Sequence, residues 1–175
     1  LWWQKLMDKL SAQISDYLIA QINAGAKAIQ IFDSWVGSLS PYDFRDYVLP
    51  HLQKIVKHIK EAHPELPVIY FSTSTGSYLP LIKEIGADVI SVDWRIDILE
   101  AWEKLDNEPA IQGNLEPSLL LGPVETMHQQ TARLLDAVGS RPGHIMNLGH
   151  GIHKETNPDN IASFVNFVHE HSKRD

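Results

Sequence analysis

The chain has 175 residues, 43% hydrophobic and 21% charged, with 22 Asp and Glu against 15 Lys and Arg and a formal charge of -7. That length lets one domain bury about 70% of its unfolded surface, while an acidic surface without a basic run argues against nucleic acid or an anionic membrane as partner. With no cysteine, disulfides, thiolate nucleophiles and sulfur-ligated metals are excluded, and with neither a bilayer-length apolar run nor a signal-peptide pattern the expected location is cytoplasmic.

In chain order, Trp2, Leu6, Leu10, Ile14 and Leu18 recur every four residues, and Ile19 and Ile22 extend the face. The sequence is therefore already helical at Leu1-Trp2-Trp3, and it lacks an initiator methionine. This start reads as that of a fragment of a longer protein, or of one whose apolar face is covered by something else. Ala28 to Asp33 is a predicted strand. Ser40-Pro41-Tyr42-Asp43 then offers a serine cap, proline at the first helical position and an acid in the first turn. One helix is predicted from there through Ile59, with Phe44, Tyr47, Val48, Leu52, Ile55 and Val56 on a broad apolar face.

A second strand covers Pro67 to Ser72, and a short helix opens at Gly76 and stops at Gly86. Val89 to Asp93 is the third strand, Ile98 to Leu105 a helix, Ala110 to Asn114 the fourth strand, and Val124 to Val138 a helix ended by Gly139. Ile145 to Leu148 is the fifth strand, and Asn157-Pro158-Asp159 caps the last helix. Short apolar strands alternating with helices predict an α/β protein with a parallel sheet of right-handed crossovers. The sheet is either open and doubly wound or an arc of a closed barrel. No glycine-rich dinucleotide fingerprint follows any strand, which weakens the first alternative. A complete eight-stranded barrel needs about 250 residues, so five strands read as the C-terminal portion of a (β/α)8 barrel.

In such a barrel the residues that follow each strand line one mouth. Here they are Asp33-Ser34-Trp35, Ser72 to Gly76, Asp93-Trp94-Arg95, Gly113 to Pro117 and Gly149-His150-Gly151. The set is rich in hydroxyls and amides and holds one arginine and one histidine, which suits a large ligand with carboxylates. The two glycines around His150 allow a sharp turn and leave its imidazole unshielded. The Ser72 to Gly76 run leads into a predicted helix start, where backbone N–H groups favour an anion; the plainer reading is a capping turn. Asp93 is a catalytic carboxylate, the partner of Arg95 or a helix cap. A Ser34-His150-Asp93 triad is compatible with the composition, but the G-x-S-x-G elbow is absent. His150 and His153 have metal-like spacing without supporting acids, so no metal is assigned. The other histidines (51, 58, 63, 128, 144, 169 and 171) read as solvated.

Gln30 to Gly37, Gly86 to Arg95, Gln112 to Pro117 and Asn147 to Ile152 together resemble, in order and spacing, the uroporphyrinogen decarboxylase family. The resemblance implies a (β/α)8 barrel, usually a homodimer, working without metal or organic cofactor in haem and tetrapyrrole biosynthesis. It implies removal of the carboxyl groups of the four acetate side chains of uroporphyrinogen to give coproporphyrinogen, with the protonated pyrrole as electron sink. By motif, Ser34 and His150 match residues that contact substrate, and Phe32 is part of an apolar wall. Asp93 and Trp94 match a family signature of mainly architectural role. Glu116 departs from the family's usual aspartate, and its extra methylene is expected to shift a loop contact. The family's arginine-rich motif, central aspartate and active-site tyrosine would all precede Leu1, so no catalytic residue is assigned and the chain by itself is expected to be inactive. Two alternatives remain: a related barrel methyltransferase, whose zinc site uses cysteine, and a half-barrel that serves only as an interaction module.

Overall fold

The computed structural model describes residues 2–173; Leu1, where the helical pattern begins, lies outside the described residues. The chain divides into two compact units, Leu1–Ile90 and Ser91–Asp175. Among the described residues five strands alternate with helices along the chain.

In the first unit, α1 (Trp2–Asn23) leads into β1 (Ile29–Asp33), α2 (Pro41–Tyr47), α3 (Leu49–Ala62), β2 (Val68–Ser72) and α4 (Leu79–Lys83). β1 and β2 are parallel, with Phe32 opposite Phe71 and Asp33 opposite Ser72. The single helix expected after Ser40 is two. Val48 interrupts it ahead of Pro50, whose ring nitrogen cannot donate to the preceding turn, so proline sits in the first turn of a new helix. Phe44, Ile59, Tyr70, Leu79 and Ile82 are fully buried.

The buried face of α1 also differs from the expected stripe. Ser11, Ser15, Leu18 and Ile22 are buried, whereas Leu6, Leu10 and Ile14 remain exposed and Trp2 is 85% exposed. α1 packs on α3. Small serines at a helix contact allow close approach, and the Ser15 hydroxyl donates to the Ser11 carbonyl at 2.8 Å, which meets its hydrogen-bonding need within the helix. Lys54 Nζ, 2.7 Å from Asp8 Oδ1, ties the rim of the contact.

β3 (Val89–Ser91) lies at the division between the units. It ends two residues before the predicted limit, because Asp93 turns back to accept a hydrogen bond from the Arg95 backbone N–H. The second unit then carries α5 (Ile98–Lys104), β4 (Ala110–Leu115), α6 (Val124–Val138), β5 (His144–Leu148) and α7 (Pro158–His171). Asp97 caps α5 by accepting from Leu99 and Glu100 N–H, and Asn157 caps α7 by accepting from Asp159 N–H. β4 and β5 are parallel, with Asn114 opposite Asn147. Leu115, Leu120, Met127, Leu148 and Phe164 form one apolar cluster, and Trp102, 2% exposed, donates its indole N–H to the Pro109 carbonyl.

Candidate functional site

Strand alternation sets the first unit's chemistry. Phe32 and Asp33 point to opposite faces at the end of β1. The Phe32 ring is 70% exposed and meets Phe71 edge-on at 5.9 Å. It helps line an apolar groove of about 390 Å³ with Leu10, Ile14, Trp35 and Leu39. The half-buried Asp33 accepts a hydrogen bond from the buried Tyr70 hydroxyl at 3.1 Å. Burial raises the Asp33 carboxyl above its usual range, and the Tyr70 bond offsets part of that. The Tyr78 phenol is pushed up to about 12 by burial and, secondarily, by the Asp33 charge.

Ser34 follows, half-buried, on a loop held by its backbone. Its carbonyl accepts the Thr73 hydroxyl, and the Val36 carbonyl accepts the Tyr78 hydroxyl at 3.0 Å. Gly37 is pressed against the same neighbour: a Cβ there would lie 2.0 Å from the Thr73 carbonyl oxygen. The serine- and threonine-rich run is therefore not an anion-binding helix start. The helix begins only at Leu79 and has five residues. Thr73 is spent on the Ser34 loop, while Ser72 and Thr75 bond each other at 2.8 Å.

In the second unit the groups that follow β3 and β5 meet on one indole. Asp93, 4% exposed, pairs through Oδ2 with Arg95 Nη1 and through Oδ1 with the Arg95 backbone N–H. The Arg95 guanidinium lies over the Trp94 ring at 4.0 Å, and the exposed His150 meets that ring edge-on at 6.5 Å. Of the readings of Asp93, the structure shows the pairing with Arg95, and Asp97 is the residue that caps the following helix. Gly149 makes the approach possible, since a Cβ there would be 2.5 Å from the Trp94 backbone nitrogen; Gly151 faces open space. Asn114, buried, donates from Nδ2 to the Asp93 and Ile96 carbonyls at 2.8 and 2.7 Å and so fixes the loop that carries Trp94 and Arg95. Glu116 accepts the Ser118 hydroxyl at 2.6 Å, a local turn contact.

The proposed substrate residues thus fall in both units, with Phe32 and Ser34 in the first and His150 in the second. The triad composition likewise draws on both. Among the described residues no three His, Asp or Glu side chains gather as a metal-binding group. Tyr70 and Tyr78 were not singled out as site residues by sequence reasoning, whereas Thr73 and Asn114 fell within the strand-end sets without an individual role. Period-two alternation offered a signal for Tyr70, which shares a face with Asp33 across the β1–β2 register. His51 is a correction: it is 2% exposed rather than solvated, because α1 covers it, with Gln4 Nε2 3.4 Å from its Nε2 and Asp8 Oδ1 3.6 Å from its Nδ1. His144 is half-buried and bonds the Gly113 carbonyl through Nε2 at 2.9 Å.

A family model described as uroporphyrinogen decarboxylase (URO-D) matches residues 2–171. The chain belongs to the uroporphyrinogen decarboxylase family. Curated uroporphyrinogen decarboxylases are close to it in sequence. That of Roseiflexus sp. (strain RS-1) is 47% identical over 173 residues, which are 97% of this chain and 50% of the relative. That of Carboxydothermus hydrogenoformans is 46% identical over 168 residues, 96% of this chain and 47% of the relative. That of Chloroflexus aurantiacus is 48% identical, with 95% and 47% covered. The chain therefore spans about half the length of the curated relatives it matches. Among solved structures, a methyltransferase from Methanosarcina mazei superposes with a TM-score of 0.80 at 22% identity, over 93% of this chain and 48% of that one. At that identity the likeness carries the fold alone, and the fold is a partial (β/α) barrel.

Proposed function

We propose that this chain is the C-terminal half of a uroporphyrinogen decarboxylase, acting as a single domain over residues 1–175 that contributes to the substrate pocket of the whole enzyme. The reaction is the cofactor-independent loss of the four acetate carboxyl groups of uroporphyrinogen to give coproporphyrinogen, a step of haem and tetrapyrrole biosynthesis. Family membership across residues 2–171 is the observation that carries the reading.

Decarboxylation leaves an electron pair that needs a sink, and here the protonated pyrrole provides it. The protein then has to orient the macrocycle and balance its charge in a preorganised setting. In this reading the Ser34 hydroxyl and the His150 imidazole hydrogen-bond carboxylate or pyrrole groups, and the Phe32 ring forms apolar wall. Their exposure or half-exposure at the ends of β1 and β5 supports those roles. The arginine-rich motif, the aspartate that grips the pyrrole N–H groups and the tyrosine belong to the complementary half. The 175 residues by themselves are accordingly inactive.

The test is an anaerobic assay with reduced uroporphyrinogen, run on the chain by itself and with the N-terminal half of a curated relative. Coproporphyrinogen formed only after complementation supports the proposal; product from the chain by itself overturns the assignment of catalysis to the other half. In the complemented enzyme Ser34→Ala and His150→Gln are each expected to lower kcat/KM roughly tenfold to a hundredfold, the worth of one hydrogen bond to a charged group.

A homodimer and a cytoplasmic location belong to the same proposal. The exposed apolar side chains of α1 support association, and the lack of cysteine suits a reducing compartment. Those same side chains favour one competing reading, a non-catalytic half-barrel module. Light scattering that shows concentration-dependent association, together with no product in either assay, would favour it.

A further inference from the structure

We propose that Arg95 is a carboxylate-binding residue, held ready by Asp93 and Trp94 beside His150 to take a carboxylate side chain of the bound tetrapyrrole. The inference rests on the decarboxylase reading above and adds to it a role for Arg95 that the family resemblance did not assign.

The argument starts from the guanidinium. It presents five N–H donors in a rigid plane, which suits more than one carboxylate at a time. One edge is committed: Nη1 bonds Asp93 Oδ2. One face is committed too, to the Trp94 indole at 4.0 Å. Nevertheless the side chain is 51% exposed, while the aspartate that anchors it is 4% exposed. The charge is thus fixed from below and presented outward. Arginine normally loses considerable rotamer freedom on binding a ligand; a guanidinium already clamped on an edge and a face has lost most of it beforehand.

The location matters equally. His150, which the functional reading places against substrate, packs edge-on against the same indole at 6.5 Å. A ligand reaching His150 therefore stands against the indole that carries the Arg95 guanidinium. Asn114 holds that loop through the Asp93 and Ile96 carbonyls, and the Arg95 backbone N–H bonds Asp93 Oδ1, so the presentation does not depend on a mobile segment. A surface ion pair that serves stability alone needs neither the indole nor the two backbone locks.

The experiment is anaerobic equilibrium dialysis of coproporphyrinogen, the product, which keeps four carboxylate side chains and is not consumed, against the complemented protein, comparing the parent chain with Arg95→Gln and Arg95→Lys. Because Arg95→Gln leaves the buried Asp93 without its cation, the double variant Asp93→Asn/Arg95→Gln is measured as well, and thermal unfolding checks that each is folded. The proposal expects about tenfold weaker binding for Arg95→Gln and for the double variant, with partial recovery in Arg95→Lys. It also expects added salt to weaken the parent more than either glutamine variant, since screening acts on the removed attraction. Binding by the parent with no loss in folded glutamine variants overturns the Arg95 assignment and leaves the decarboxylase reading standing. No binding by the complemented parent overturns that reading and this proposal together.

Discussion

The two units hold their strand-end loops by opposite means. In the first, hydroxyl side chains tie the backbone: Tyr70 bonds Asp33, Thr73 the Ser34 carbonyl and Tyr78 the Val36 carbonyl. In the second, a charge and an aromatic ring do the holding, with Asp93, Arg95, Trp94 and His150 in succession. The first arrangement consumes its polar groups in making the loop, which leaves little for a ligand beyond Ser34. The second assembles its groups so that a cation and an imidazole stay outward. A polar loop sequence therefore reveals a binding site only when it is known which groups the backbone has already claimed.

Glycine substitutions test that contrast most forcefully, because both loops depend on a glycine pressed against backbone. Gly37→Ala is expected to cost about 3 kcal/mol, since its Cβ would lie 2.0 Å from the Thr73 carbonyl oxygen, and Gly149→Ala about 2 kcal/mol, with its nearest atom at 2.5 Å. Urea unfolding measures both. A loss below about 0.5 kcal/mol in either variant would mean that the loop has room to yield, a typical surface effect. A smaller effect is expected from Thr73→Val, which removes one hydroxyl donor to the Ser34 carbonyl. It should cost about 1 kcal/mol, and in the complemented enzyme it should lower activity by moving Ser34. Wild-type activity in that variant would break the claim that Thr73 positions the loop.

Acid sharpens the comparison last. Burial lowers the pKa of His51 in the first unit, with Lys54 adding to the effect and Asp8 opposing it; burial also lowers His144 in the second, against the Gly113 hydrogen bond. Each stays neutral in the folded chain where an unfolded histidine, with its pKa near 6.5, takes up a proton. The unfolded state then binds more protons, so stability falls as pH drops below about 6.5 and stops falling below the folded pKa. His51→Gln and His144→Gln should each flatten part of that slope in urea unfolding between pH 7 and 5. An unchanged slope in both would remove burial of these rings as a source of acid sensitivity.

Much of this was legible in the residues. The five strands stand out as short apolar runs between turn residues, and proline and glycine marked most helix limits. Pro50 carried the signal for the break at Val48, but a continuous apolar face masked it. The buried face of α1 was not legible, because the serines that face α3 look polar until a neighbouring helix is known to need close approach. His51 was misread for the same reason: whether a histidine is solvated depends on what α1 does 47 residues earlier. In the candidate site, His150 and Ser34 were visible as strand-end groups. The commitment of Thr73 to a carbonyl and of Asp93 to Arg95 depends on contacts that a one-dimensional pattern does not contain.

The distribution of indoles has an optical consequence. Trp2, Trp3 and Trp35 of the first unit are exposed, whereas Trp102 is buried and Trp94 lies half-covered beneath a guanidinium. Red-edge fluorescence is therefore dominated by the first unit and blue-edge fluorescence by the second, so one emission spectrum recorded during denaturation reports on the two separately. An iodide quencher, which reaches exposed indoles first, would therefore darken the red component before the blue one, an intrinsic signal that needs no label.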